Sequence, residues 1–296
     1  METQKKGFYN HKRQRYRCRS CGRQFQNYSQ KQRLKQSIWN QYVYERKTVD
    51  QLSSKYQRSK SCIRTYLDTV AVKEQQYFPR PIVAIADVTF FKRDFGICVI
   101  REAHLRKNLY VQDVQTESVD GYRHGRMELE QRGYTFQAIV LDGRPGVRQV
   151  FSDIPIQMCH FHQKQIITRY LTNRPKLEAG IELKKITALL CKTNEKDFRE
   201  ALHNWHQKWS IFLKERTTDP FTGRWFYTHK RLRSAYRSLK INLPYLFTYQ
   251  KYPQLNIPNT TNSLDGCFAY LKELVRVHRG ANKGRKRKII HDILLK

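Results

Sequence analysis

Short apolar runs follow one another through the middle of the chain, at the lengths typical of buried β-strands. Residues 82–86 and 95–100 are continuous runs, and 109–114 alternates in part between apolar and polar positions. This pattern predicts three consecutive strands that pair as antiparallel hairpins. The order strand, strand, strand, helix, strand, helix, strand predicts a mixed α/β sheet. The later elements are a helical pattern and two more buried runs, at 118–132, 136–141 and 154–158.

Helical periodicity dominates the segment before the predicted sheet. Between residues 34 and 70, apolar residues recur three and four positions apart, and Thr48 and Ser59 precede two such runs as N-caps would. Two short helices joined by a tight turn predict a helix-turn-helix region at 31–75. A small helical linker bundle is the alternative interpretation of the same pattern.

The second half of the chain is also helical in pattern. The stretch at about 165–252 predicts a helical insertion within the sheet domain, which we expect to span 80–296. A final amphipathic helix is predicted at 263–278. The basic run that follows, at 282–288, is either a solvated tail or a further set of phosphate contacts.

The charge balance changes the interpretation of these helices. The chain of 296 residues has 57 Lys and Arg against 25 Asp and Glu, a formal net charge of +32. So large an excess of positive charge indicates a polyanionic partner, and nucleic acid is the leading class. We therefore expect Ser59, Lys60 and Arg64 to lie on a recognition helix that binds DNA. No apolar run reaches the ~18 residues that span a bilayer, so no membrane partner is expected.

The cysteines indicate a reducing compartment and a fragment of a zinc motif. There are seven, an odd number scattered along the chain, which argues against a disulfide framework. Cys18 and Cys21 form a Cys-x-x-Cys pair that resembles one knuckle of a zinc ribbon, so residues 1–30 are predicted to be a partial zinc-ribbon-like segment. Upstream, His11 is the one residue that offers a further ligand. Zn²⁺ at an incomplete site and a half-site that binds no metal are both open.

Three aspartates stand at positions that suit the ligands of a metal ion. Asp87 and Asp142 each end an apolar run that predicts a buried strand, and Asp265 lies in the first turn of the final helix. A carboxylate at the end of a central strand is held rigidly at the edge of the sheet, and a first-turn acid suits the helix dipole. Each aspartate alone is as consistent with a turn or a cap. Together they predict one metal site.

Such a set of acids suits phosphodiester chemistry. Two divalent ions about 3.5–4 Å apart activate an oxygen nucleophile and stabilise the leaving oxygen. Mg²⁺ prefers oxygen ligands and keeps several waters, so three carboxylates suffice to hold it. Acids held on rigid elements of a very basic protein therefore predict a metal-dependent enzyme that acts on DNA.

Four short motifs carry a more specific resemblance. They are IADVTF at 85–90, VLDG at 140–143, QMCHFHQ at 157–163 and NTTNSLDG at 259–266. With these motifs the chain resembles the mutator-type insertion-sequence transposases of bacteria, a branch of the DDE superfamily with an N-terminal zinc-ribbon-like knuckle. The resemblance covers nearly the whole chain. It implies a ribonuclease H-like catalytic core, with the helical insertion placed before the third acid.

The resemblance also assigns roles to individual residues. It implies that Asp87, Asp142 and Asp265 are the catalytic acids that bind Mg²⁺ or Mn²⁺. The family usually has glutamate at the third position. Aspartate is one methylene shorter, and a displacement of about 1 Å in a catalytic group is enough to slow a reaction.

Basic and supporting residues complete this expectation. Cys159 and His162 match the Cys-x-x-His that follows the second acid in this superfamily, and we expect them to support the site from beside the metal. A buried cysteine and a hydrogen-bonded histidine at the start of a helix are the structural alternative. The residues expected to hold DNA phosphates are Lys272, Arg276 and Arg279.

The sequence therefore predicts a DNA transposase of an insertion sequence, in an α/β fold. It would cleave the terminal inverted repeats of its element and transfer the strands into target DNA, as a homo-oligomer in the synaptic complex. A nucleoid-associated place in the bacterial cytoplasm is implied. Two alternatives are a catalytically decayed transposase that acts as a DNA-binding protein, and a ribonuclease H-like nuclease without strand transfer.

Overall fold

The chain divides into two units that do not follow one another in sequence. The structure, a computed structural model, describes residues 2–9, 13–26, 29–72, 77–91 and 95–296. A bipartite unit combines Met1–Glu74 with Tyr270–Leu294 and Lys296, and a central unit comprises Gln75–Ala269 with Leu295. The segment from Tyr270 onward, which we expected within the sheet domain, thus belongs with the amino-terminal residues instead.

The bipartite unit begins with a small antiparallel sheet. Its strands are β1 (Thr3–Tyr9), β2 (Arg13–Cys18) and β3 (Gln24–Gln26), in the order β1-β2-β3. The rings of Tyr16 and Phe25 stack on each other with centroids 5.9 Å apart. Cys18 and Cys21 lie at and just after the end of β2, where the turn toward β3 begins.

Three helices follow this small sheet, and the predicted N-caps of two of them are confirmed. The helices are α1 (Ser29–Val43), α2 (Val49–Tyr56) and α3 (Lys60–Thr69). The Thr48 hydroxyl accepts a hydrogen bond from the Gln51 amide at 3.2 Å, and the Ser59 hydroxyl accepts one from the Cys62 amide at 3.2 Å. These bonds satisfy amide groups that a helix start leaves without partners, and so they fix the two ends of the turn between α2 and α3.

The central unit is built on a five-stranded mixed sheet, as the sequence pattern predicts. Strands β4 (Pro81–Phe91), β5 (Phe95–Glu102) and β6 (Asn108–Val114) pair antiparallel, while β7 (Thr135–Leu141) runs parallel to β4 and β8 (Ile156–Met158) parallel to β7. The strand order is β6-β5-β4-β7-β8. The α/β fold class is confirmed.

A helix packed on the sheet forms one apolar core with it. Helix α4 (Val119–Gln131) buries Tyr122 and Leu129 among residues of β5, β6 and β7. Gly125 lets α4 approach the sheet, because a Cβ atom there would come within 2.7 Å of Ile100 and Tyr110. Helix α5 (Pro145–Val150) connects β7 to β8 and begins just after the Asp142-Gly143 turn.

A helical region follows β8. It contains α6 (His160–Leu171), α7 (Glu178–Ala188), α8 (Glu195–Trp209), α9 (Lys230–Leu246) and α10 (Thr248–Lys251). Its buried residues include Phe198, Leu202 and Trp205, so the aromatic stripe of α8 packs in a core. A hairpin that the sequence pattern does not predict, β9 (Arg216–Thr218) with β10 (Trp225–Tyr227), separates α8 from α9.

The carboxy-terminal segment forms two helices, α11 (Asn262–Val277) and α12 (Lys283–Leu294). The basic run at 282–288, expected as a tail or as phosphate contacts, begins α12. Arg285 donates two hydrogen bonds to the Asp68 carboxylate, at 2.9 and 2.8 Å, and the Trp39 indole donates one to Asp292 at 2.8 Å. The apolar residues Ile289 and Ile290 are fully buried. The segment is a helix because this apolar face packs within the bipartite unit.

Transmembrane structure is not among these elements. No helix within the described ranges combines the length and the apolar character that crossing a bilayer demands.

We predict that Gly143→Ala destabilises the protein more than a matched glycine substitution does. Gly143 has φ +99°, and a Cβ atom there would lie 2.5 Å from Met158, whereas Gly223 has φ +65° with open space around it. Backbone strain of about 1 kcal/mol applies to both, and crowding adds roughly 1–3 kcal/mol at Gly143 alone. Urea unfolding of the full chain measures the difference. Equal losses for Gly143→Ala and Gly223→Ala would contradict the crowding.

Candidate metal centre

The pairing of β4 with β7 positions the first two predicted acids. The parallel register places Ile85 beside Val140, and continuing it by two residues brings Asp87 level with Asp142. Asp142 follows directly after β7, at the strand end as predicted. Asp87 is not at a strand end, because β4 continues to Phe91 in partnership with β5 alone. Asp87 therefore lies where β4 loses one of its two neighbouring strands.

The start of α11 brings the third predicted acid to the same place. Thr261 is fully buried, and its amide donates a hydrogen bond to the Cys159 sulfur at 3.3 Å. The Arg101 guanidinium donates to the carbonyl of Ser263 at 2.9 Å. The Thr261 hydroxyl donates to the Asp265 carboxylate at 2.9 Å. Contacts of Thr261 with Cys159 and of Ser263 with Arg101 of β5 thus anchor the start of α11 and fix Asp265 in the first turn of the helix.

Three side chains converge into one cluster. Ligand atoms of Asp87, His162 and Asp265 all lie within 4.8 Å of one another, and all three side chains are half-buried. Two of the three predicted acids are therefore in the cluster. Asp142 is not a member of it. Its carboxylate accepts a hydrogen bond from the Arg144 amide at 3.2 Å, and its negative charge contributes to a raised pKa at Asp87.

His162 lies in the cluster itself, within 4.8 Å of the two acids, whereas we expected it to support the site from beside the metal. It lies in the first turn of α6, three residues after Cys159, so the two side chains share one face of the helix. A hydrogen bond with Cys159 raises the pKa of His162 to about 9, with further contributions from the charges of Asp87 and Asp265. At neutral pH the imidazolium offsets the negative charge of the two carboxylates.

Cys159, predicted to support the site, forms hydrogen bonds with two residues around the cluster, and its supporting role stays a prediction. It precedes α6 and is fully buried. Burial by itself would raise the pKa of the Cys159 thiol, but hydrogen bonds with His162 and Thr261 outweigh it and lower that pKa. Because Cys159 contacts both Thr261 and His162, it couples the start of α11 to the histidine of the cluster.

Asp87 is held in an environment that resists its ionisation. Burial raises the pKa of the Asp87 carboxyl to about 7, and the charges of Asp142 and Asp265 act in the same direction. A hydrogen bond from the Val88 amide at 2.7 Å works against this shift. Acids that repel one another at a half-buried position have the electrostatic character of a cation site.

The donor set fits Mg²⁺ or Mn²⁺. Asp87 and Asp265 offer carboxylate oxygens of the kind these ions prefer, and Asp142 adds a third negative charge beside them. His162 is a nitrogen donor only after it loses its proton. A divalent cation at this cluster would be held by the two acids, and the protonated His162 offsets their negative charge in its absence.

The amino-terminal cysteines do not form part of a comparable group. Cys18 is buried and Cys21 is exposed. Hydrogen bonds with Cys21 and Ser20 lower the pKa of Cys18 to about 7. Among the described residues, neither cysteine belongs to a cluster of three metal-binding side chains. His11 lies outside the described residues, and Zn²⁺ at this position stays a prediction.

Some of the residues expected to bind DNA already have partners within the protein, and all of them are exposed. The Ser59 hydroxyl caps α3, and Lys60 forms an exposed ion pair with Asp50 at 3.1 Å. Arg64 is exposed on the same helix. The other predicted phosphate contacts, Lys272, Arg276 and Arg279, are also exposed.

Comparisons with known proteins do not extend this picture. Neither a protein-family model nor a curated protein matches the chain. One similar solved structure is the cryo-EM structure of a simian T-cell lymphotropic virus intasome in complex with PP2A regulatory subunit B56 gamma. The match covers 66% of this chain and 73% of that chain, at 9% identity and a TM-score of 0.23. A TM-score this low carries no argument about fold or function.

We predict that Asp87→Asn and Asp265→Asn each weaken Mn²⁺ binding at least about tenfold, since each removes a charge from the donor set. Isothermal titration of the full chain with Mn²⁺ measures the dissociation constant. The matched control is Asp120→Asn, which changes an exposed aspartate paired with Arg123 on α4. Unchanged binding in both cluster variants would show that the acids do not hold the cation.

We also predict that Mn²⁺ affinity falls as the pH falls below 7. Asp87, with a pKa of about 7, is neutral below that pH and must lose a proton to bind a cation. His162, with a pKa of about 9, stays charged throughout this range and adds no slope of its own. Apparent affinity should fall about tenfold per pH unit between roughly pH 6.5 and 5. Titrations in this range that show no pH dependence would contradict the raised pKa.

Proposed function

We propose that this protein is a DNA transposase of an insertion sequence, of the mutator-like kind that its motifs resemble. One observation carries the proposal. Asp87 and Asp265, far apart in sequence, converge within 4.8 Å of His162, with Asp142 following the neighbouring parallel strand. Carboxylates on separate rigid elements around one point suit divalent cations that act on phosphodiesters.

The sheet supports the finer proposal of a ribonuclease H-like core. Three antiparallel strands come first, and two parallel strands are then added at β4, the middle strand of the sheet. Asp87 lies on that middle strand, Asp142 follows the strand beside it, and Asp265 lies on a helix after the helical region. This order of acids is what the resemblance implies.

The chemistry we assign is hydrolysis followed by strand transfer. Mg²⁺ bound by the acids would polarise the phosphate and favour an ionised oxygen nucleophile. Asp87 and Asp265 hold their carboxylates at fixed positions, and Asp142 adds charge beside them. Water attacks the phosphorus at the element end and releases a 3′-hydroxyl. That hydroxyl, after losing its proton, attacks a phosphodiester of the target DNA and displaces a second 3′-oxygen.

The charge of the whole chain supports DNA as the substrate. A net charge of +32 favours binding to a polyanion. In the bipartite unit, Arg64, Lys272, Arg276 and Arg279 are exposed and available to phosphates. We assign these residues to binding of the terminal inverted repeats, by a homo-oligomer associated with the bacterial nucleoid.

A decayed enzyme that binds DNA is the second candidate function. Two observations favour it: the third acid is aspartate where the family usually has glutamate, and Asp142 is not a member of the tight cluster. Such a protein would keep the basic surface and lose the reaction.

We predict that the purified chain, with Mg²⁺, cleaves and joins labelled duplex that carries the DNA flanking its own reading frame. Asp87→Asn, Asp142→Asn and Asp265→Asn should each reduce cleavage at least about 100-fold, because each removes a carboxylate on which the reaction depends. Gel-shift affinity for the same duplex should stay within about twofold, since binding is assigned to other residues. Asp120→Asn is again the control.

Each outcome of this assay has a distinct meaning. Cleavage with joining supports the transposase, and cleavage without joining indicates a nuclease. Binding without cleavage in the unmodified chain indicates the decayed enzyme. Cleavage that survives Asp87→Asn and Asp265→Asn would overturn the assignment of the cluster.

A further inference from the structure

An open groove lies between α6 and α9 in the central unit, beside the turn that follows Asp142. Its volume is about 870 Å³. It has basic, aromatic, aliphatic and small polar walls, and none of the described residues that line it is acidic. The residues that line one end are Gly143 and Pro145, which places the groove next to the carboxyl end of β7.

Positive charge concentrates on the walls of this groove. Arg169 from α6 and Lys230, Arg231 and Arg237 from α9 line it, and all four are exposed. The sequence of α9, KRLRSAYRSLKINLPYL, holds five basic residues and no acidic one. Among the residues that the structure describes, these four cations have no acidic partner within salt-bridge distance. Cations left unpaired on one concave surface attract a polyanion.

A buried arginine adds to this charge beside the turn that follows Asp142. Arg148 is 7% exposed, donates to the Gly143 carbonyl at 2.7 Å and donates to the Asn242 side chain at 2.6 Å. Gly143 and Asn242 both line the groove. The Nε of Arg148 is buried without a hydrogen-bond partner. No carboxylate among the described residues forms an ion pair with this guanidinium, although the charge of Asp142 acts on it and partly offsets the lowering of its pKa by burial. An unpaired buried cation stabilises an anion bound nearby.

The apolar residues of the groove favour single-stranded over duplex DNA. Ile166, Tyr170 and Ile241 line it together with the cations, and Tyr170 and Ile241 are 36% and 51% exposed. Duplex DNA presents phosphates outward and keeps its bases stacked inside. A single strand offers phosphates to cations and unpaired bases to aromatic and aliphatic side chains at the same time.

A second cavity extends the same chemistry along α9. It has a volume of about 480 Å³ and shares Lys230, Ser234 and Arg237 with the groove. It adds Arg233 and Lys240, again with no acidic lining residue. A strand of several nucleotides would therefore meet cations beyond the first cavity.

We propose that the groove between α6 and α9 binds a single-stranded stretch of DNA through its phosphates and bases, beside the turn that follows Asp142. This inference rests on the proposed function and deepens it. Cleavage at an element end produces a strand end at the acids, and the groove begins at the residue after Asp142. The groove then holds the unpaired strand adjoining the reacting phosphate.

The test measures binding of a labelled 15-nucleotide single strand to the full chain in EDTA, where no metal chemistry occurs. Arg231→Gln with Arg237→Gln should weaken binding at least about tenfold and reduce the slope of log affinity against log salt by about 1.4, since each phosphate contact adds about 0.7 for single strands. Tyr170→Ala should weaken binding about tenfold through lost stacking. The matched control, Lys185→Gln with Lys196→Gln, removes the same charge from exposed lysines of α7 and α8 and should change binding by less than about twofold.

Two further measurements keep the result decisive. Affinity for duplex should change much less than affinity for the single strand in the groove variants; an equal loss of both would show a general charge effect and overturn the proposal. In the unmodified chain, the single strand should protect Arg169, Arg231 and Arg237 from an arginine-modifying glyoxal, as mapped by mass spectrometry. Absence of protection would overturn it without any variant.

The same data separate this inference from the proposed function. A chain that cleaves the flanking DNA but binds the single strand without the groove arginines contradicts the groove alone. A chain whose groove binds the single strand, but which never cleaves with Mg²⁺, contradicts the transposase alone.

Discussion

The parallel pairing of β4 with β7 is the constraint on which the candidate site depends. Five apolar residues before Asp87 and the run before Asp142 pack as buried neighbours, and their register leaves the two acids level with each other. Burial raises the pKa of the Asp87 carboxyl to about 7, and the negative charges of Asp142 and Asp265 act in the same direction. The packing of the strands thus sets the position of Asp87, and the start of α11 brings Asp265 to it to form the candidate metal-binding cluster with His162.

Two kinds of positive charge serve different ends in this protein. Arg285 forms hydrogen bonds with the Asp68 carboxylate inside the bipartite unit. In the central unit, the positive charge of His162 offsets the negative charges of Asp87 and Asp265. Within the part of the chain that the structure describes, the exposed cations Lys230, Arg231 and Arg237 of α9 have no acidic partner within salt-bridge distance. Part of the net charge of +32 therefore stabilises the fold, and the exposed part is the charge that the proposed DNA binding would use. Composition alone does not distinguish the two parts, and hydrogen-bond partners do.

Most of the fold could be predicted from the sequence, because periodicity and caps are local signals. The five strands, the N-caps Thr48 and Ser59 and the helical region all follow from patterns a few residues long. The sequence pattern does not predict the β9–β10 hairpin, because strands of three residues are too short to show a periodicity. It does not predict α12 either, because basic residues dominate this segment; its helical structure depends on burial of Ile289 and Ile290 and on hydrogen bonds with the distant residues Asp68 and Trp39. At the site, the motifs predict that three acids converge; Asp87 and Asp265 lie in one cluster, and Asp142 does not belong to it. The position of His162 in the cluster depends on the direction in which α6 leaves β8. That direction is set by tertiary packing, which local sequence patterns do not encode.

The bipartite unit has a consequence for how the protein is made. Its amino-terminal helices are completed by α12, whose Arg285 and Asp292 bond to Asp68 and Trp39. During translation, α1 to α3 leave the ribosome while α12 has not yet been synthesised, and about 200 intervening residues take roughly 10–40 s to add. Residues 75–269, which form almost all of the central unit, are synthesised before α12. The nascent chain therefore gains its sheet before the helices at its beginning find their last partner, and chaperones would meet those helices with an apolar face still uncovered.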